Sequence, residues 1–113
     1  MKTFLALFMG DPNPVSGPPP MSEADMARGM EAWGAWMANN AARIVDAGGP
    51  VGVNKTTDKA GVHDARNQVG GYVILTAESH DEAARLFLDH PHFTIFPGDR
   101  VEIMERLPIP GAA

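Results

Sequence analysis

Two short runs that are apolar on both faces, far apart in the chain, narrow the fold more than any other feature. Residues 2–9 put Phe4, Ala6 and Phe8 on one face of a strand and Leu5, Leu7 and Met9 on the other. Residues 71–77 set Tyr72, Ile74 and Thr76 against Val73, Leu75 and Ala77 in the same way. A strand apolar on both faces has to be covered on both, so these two belong in the middle of a sheet.

The segments around them supply helices and edge strands. Ser22 is placed to cap a first helix, with Glu23 and Asp25 in its first turn. Met26, Met30, Trp33, Met37, Ala41 and Ile44 then recur at three- and four-residue steps, which predicts one apolar stripe on a helix ending near Gly48-Gly49. Gly29 and Gly34 interrupt that helix and leave room for close packing. Residues 51–56 read as a short edge strand, and residues 57–68 as a polar connector. Ser79-His80-Asp81-Glu82 has the form of a capping box, which opens a second helix carrying Ala83, Leu86 and Phe87, with Pro91 as its stop. Residues 100–107 alternate as a last strand.

The resulting order, β-α-β-β-α-β, is that of an α+β, ferredoxin-like unit. The helices cover one face of such a sheet and leave the other bare. Leu5, Leu7, Val73 and Leu75, or their opposite-face neighbours, would then lie in water, so a second copy is expected to cover them in a homodimer, a dimeric α+β barrel. A chain of 113 residues holds one core, giving a single domain over residues 1–108 and a loose tail over residues 109–113.

Composition removes several classes of function. Nine Lys and Arg against fourteen Asp and Glu, net charge -5, form no basic stripe for phosphates, so neither nucleic acid nor an anionic membrane is an expected partner. The absence of cysteine excludes disulfides, thiolate metal sites and a Cys nucleophile, and suits the reducing cytoplasm. The opening MKTFLALFM reads as a strand and not as a secretory leader, since its apolar run is short and no small-x-small site follows. Residues 10–20, GDPNPVSGPPP, form a long, stiff loop able to lie over a cleft.

Gly70-Gly71-Tyr72 followed by an apolar run, then Ser79 with Asp81-Glu82-Ala83, together with the Trp33 and Trp36 helix and PGDRVEIMERLP as final strand, resembles the YCII-related (DGPF-type) superfamily of dimeric α+β barrel proteins. The resemblance implies the fold, the dimer, a small-molecule ligand and, in some relatives, His and Asp chemistry without an organic cofactor. Lys59-Ala60-Gly61-Val62 stands where DGPF-type members carry their motif, and the first helix holds no histidine.

In this topology the loops after the first strand, between the middle two strands and before the last strand emerge at one end of the sheet. Asp11, His63, Asp64, His90, His92 and Asp99 are expected there, with His80 at the other end. His63, Asp64, His92 and Asp99 are the candidates for acid-base catalysis, with Asp11 or Asp99 as the carboxylate orienting a histidine. Asp11, Trp36 and His90 are the candidate ligand-binding residues. His90-Pro91-His92 matches no recognised ligand spacing, so no metal site is expected, and no cofactor fingerprint is present. The plainer alternatives are a solvated connector for His63-Asp64, a helix stop with its terminal histidine for His90-Pro91, and core for the Met and Trp stripe. The missing motif and helix histidine favour a noncatalytic small-ligand-binding or regulatory dimeric module. The alternative is a cofactor-independent isomerase- or lyase-type enzyme using His and Asp at the barrel mouth.

Overall fold

The computed structural model describes residues 1–11 and 19–111. The chain runs as β1 (Lys2–Met9), α1 (Glu23–Asn39), β2 (Ile44–Pro50), β3 (Asn54–Asp58), β4 (Gly61–Ala65), β5 (Val69–Ala77), α2 (His80–Arg85), α3 (Pro91–Thr94) and β6 (Arg100–Glu105). Four strands form one antiparallel sheet in the order β2-β5-β1-β6, and β3 and β4 form a separate hairpin. Without that hairpin the order is the ferredoxin-like one, and the two strands apolar on both faces are the central pair. Most of the Pro-rich segment, residues 12–18, lies outside the described residues.

Register decides which apolar residues share a face. Phe4 pairs with Leu75, Ala6 with Val73 and with Ile103, and Phe8 with Gly71 and with Val101. These make the helix-covered face, where Phe4, Ala6, Phe8, Val73, Leu75, Ala77, Ala83 and Phe87 are buried. Val73 and Leu75 therefore do not share a face with Leu5 and Leu7. The uncovered face carries Leu5, Leu7, Tyr72, Ile74 and Met104, brought side by side through Leu5–Ile74, Leu7–Tyr72 and Leu5–Met104.

Ser22 caps α1 by accepting from the Asp25 N–H at 3.1 Å. The helix stops at Asn39, well short of Gly48-Gly49, because Asn40 folds back and donates from both its backbone and its Nδ2 to the Trp36 carbonyl. The step from Ala41 to Ile44 continues the stripe only by coincidence, and the β-branched pair Ile44-Val45 opens β2. Gly48 and Gly49 lie inside that strand. Gly48 has φ 65°, and a Cβ there would overlap the Tyr72 carbonyl, so this position in the irregular β2–β5 ladder requires glycine. The predicted strand at 51–56 thus sits several residues earlier, and the predicted connector folds as the hairpin. Of the stripe, Met26 and Met30 are exposed, whereas Gly29 is buried where the Phe96 ring packs on it.

The capping box forms by half. Ser79 accepts from the Glu82 N–H at 3.1 Å, but the Glu82 carboxylate is taken by Arg43, which ties α2 to the entry of β2. The helix ends at Arg85, before Pro91, and Asp89 at φ 57° closes the turns that follow. Pro91 then opens α3 at its first position, where a fixed φ and a missing N–H cost nothing.

Candidate functional site

At the end of the sheet where β1 stops and β5 begins, one residue is extra: Phe8 faces Gly71 and Met9 faces Val69, which leaves Gly70 in a bulge. The turn before β6 is pinned against this point. The Met9 carbonyl accepts from the Asp99 N–H at 3.0 Å and from His92 Nε2 at 2.8 Å, and the Gly98 N–H donates to the His92 carbonyl at 2.9 Å. Any Cβ on Gly98 would overlap the His92 imidazole, so the glycine of the Pro97-Gly98-Asp99 turn makes room for that ring.

Two adjoining cavities open here. One, of about 500 Å³, lies between α1, the ends of β2 and β5 and the turn before β6, with Met30, Trp33, Met37, Val73 and Phe96 among its walls. The other, of about 630 Å³, lies towards the base of the hairpin, with Asn54, Asp64, Arg66, Asn67 and Gln68 in its lining. Phe8, Gly10, Asp11, Gly70 and His92 line both. His92 and Asp11 thus stand at the junction. Since a carbonyl only accepts, His92 Nε2 carries the hydrogen bonded to Met9, and Nδ1 of the neutral ring is an acceptor.

His90, two residues earlier, points the other way. It is 0% exposed, surrounded by Phe8, Trp33, Trp36 and Phe87 at centroid distances of 4.6 to 5.7 Å. Its Nδ1 accepts the His92 N–H at 2.9 Å, so the neutral ring bears its hydrogen on Nε2, which has no hydrogen-bond partner and faces aromatic rings. Burial pushes its pKa down to about 4, and the nearby His92 adds a smaller push in the same direction. This histidine is a neutral part of the wall behind the apolar cavity.

The remaining candidates disperse. His63 sits on the exposed hairpin, with Nε2 3.4 Å from Asp58 Oδ2 and not beside Asp11 or Asp99. Asp64 pairs with Lys55 at 2.6 Å and lines the larger cavity only. Asp99 is exposed and lines neither. Trp36 donates its indole N–H to the Leu86 carbonyl at 2.9 Å and stacks on Phe87 away from both cavities. His80 is at the far end of the sheet, bonded to the Ile103 carbonyl and packed on Phe4. Phe96 and Arg66 were not singled out from the sequence, whereas Met30, Trp33 and Met37 belong to the Met and Trp stripe read there and line the apolar cavity. The signal that could have found Phe96 is the buried helix glycine, Gly29, across from it.

The architecture defines an α+β, ferredoxin-like protein with ligand-sized space at one end of its sheet. Among solved structures it is similar to 5-chloro-2-hydroxyhydroquinone dehydrochlorinase from Burkholderia phenoliruptrix, a structure holding 2,5-dihydroxybenzoquinone. The two are 21% identical over 94% of this chain and 93% of that one, with a TM-score of 0.56, and the likeness is one of fold. No family model matches the sequence, and no curated protein does. Among the described residues no helix is long and apolar enough to cross a membrane.

Proposed function

We propose that the chain is a homodimeric, small-ligand-binding member of the YCII-related superfamily, whose ligand is a compact hydroxylated ring held in the 500 Å³ cavity. The observation that carries this reading is the junction: an apolar chamber of ordinary ligand size ends on His92, whose Nε2 is held by the Met9 carbonyl and whose Nδ1 is an acceptor. Met30, Met37, Trp33 and Phe96 suit a flat apolar body, and the His92 acceptor calls for a ligand that brings an O–H group to it. The fold shared with a protein solved around a dihydroxyquinone supports the same ligand shape.

Calorimetric titration with 1,4-dihydroxybenzene, a flat ring that keeps its O–H groups at neutral pH, tests it. Binding should be seen with the natural chain and lost in Met30→Trp, which fills the chamber from α1. Binding that survives this substitution would place the ligand elsewhere, and no binding at millimolar concentration would remove the reading.

One observation favours a second, catalytic reading. A neutral imidazole nitrogen anchored through its opposite nitrogen is poised to take a proton from a ligand hydroxyl, and the dehydrochlorinase shares the fold. Chloride release from 5-chloro-2-hydroxyhydroquinone, abolished by His92→Ala and retained in His63→Ala, would establish it. No release by the natural chain would leave the binding module alone.

A further inference from the structure

The larger cavity has the opposite hydrogen-bonding character from the junction, and this tells what the far side of the ligand must carry. Three consecutive residues of its lining, Arg66, Asn67 and Gln68, offer donors. Asn67 Oδ1 already accepts the Val69 N–H at 2.9 Å, and Gln68 Oε1 accepts from Arg100 at 2.9 Å, while the NH₂ of each amide has no protein acceptor among the described residues. Arg66 has only donors. Lys2, Arg28, Arg43, Lys55, Arg85 and Arg100 are each paired with a carboxylate. Among the described residues Lys59, Arg66 and Arg106 are not, and of these three only Arg66 lines either cavity. The one other charge on that far side, Asp64, is neutralised by Lys55 at 2.6 Å.

We infer that the ligand is an acidic hydroxylated ring, a hydroxyl set against His92 at the junction and its anionic group held by Arg66 and the Asn67 and Gln68 amides. The inference rests on the proposed ligand site and adds the chemical class. Cavities that share five residues allow one small molecule to reach both. A fork of guanidinium N–H groups suits a planar carboxylate or an equivalent pair of acidic oxygens.

A matched pair of probes tests it: 2,5-dihydroxybenzoate and 1,4-dihydroxybenzene, which differ by the carboxylate. The acid should bind at least tenfold more tightly to the natural chain, and the gap should narrow as salt rises. Arg66→Gln should abolish the preference and leave the affinity for the neutral ring unchanged, and Arg66→Lys should keep part of it. Arg66 is exposed and unpaired, so the thermal midpoint of the Gln variant should match that of the natural chain. Equal affinity for the two probes, or a preference that survives Arg66→Gln, would overturn the inference while leaving the ligand site standing. Binding of neither probe would overturn the site itself and the inference with it.

Discussion

His90 and His92 lie two positions apart and do different work, because Pro91 begins a helical turn between them and sends one ring into the wall and the other to the cavities. The buried ring makes stability depend on pH. Its folded pKa of about 4 lies below the ordinary histidine value of 6.5, so the unfolded chain takes up the proton first. The stabilisation is complete above pH 6.5 and is lost as pH falls towards 4, by about 3 kcal/mol at 1.36 kcal/mol per unit. Denaturant unfolding across that window should show the slope in the natural chain and a flatter one in His90→Gln. Equal slopes would mean that the ring is hydrated. The other imidazole depends on Gly98: Gly98→Ala should push His92 off the Met9 carbonyl and cost about 1–3 kcal/mol in a thermal melt, as overpacking does. Position along the chain sufficed to gather His90 and His92 at one end of the sheet. It could not tell which ring is buried, since that depends on the backbone turn at Pro91 and on aromatic neighbours from β1, α1 and the turn after α2.

The cap of α2 is where a local sequence signal and tertiary structure divide the same residues. Ser79 performs the capping expected of it, so Ser79→Ala should lower stability by about 1 kcal/mol by calorimetry. Glu82 was read as its reciprocal partner and instead holds Arg43; being part-exposed, that pair is worth under about 1 kcal/mol, so Arg43→Ala should cost less than Ser79→Ala. The central strands and both caps were legible because each rests on residues close together in sequence. The end of α1 was not: Ile44 fits the helical stripe and the strand equally well, and only Asn40 turning back on Trp36 decides between them. The hairpin was missed for a different reason. Residues 54–65 carry little apolar alternation, and among the described residues β3 and β4 pair as strands only with each other. A two-stranded ribbon on its own is marginal in water, so amide exchange in the hairpin should be faster than in β1 and β5 by orders of magnitude. Equal protection would mean that something packs on it.

The molecule as a whole is a slab, 49 × 44 × 19 Å, with one helical layer over one sheet. Its radius of gyration of 15.9 Å exceeds the roughly 13 Å of a compact chain this long, as expected of a flat body with a projecting arm. A slab of two layers leaves one sheet face open, and here that face carries Leu5, Leu7, Tyr72, Ile74 and Met104 from the three strands β1, β5 and β6. At about 25 cal/mol per Å² of apolar surface, covering a patch of this kind twice over in a symmetric pair contributes several kcal/mol, from which the cost of association is then drawn. The proposed homodimer would set this face against the same face of a second copy. Light scattering should therefore give twice the chain mass of 12.1 kDa at micromolar concentration. Ile74→Glu sets a charge beside Leu5 at the centre of the patch and points away from the helix-covered core, so it should yield a folded monomer with unchanged far-ultraviolet dichroism. A natural chain that scatters as a single copy would overturn the dimer, and an Ile74→Glu chain that stays double would move the contact to another surface.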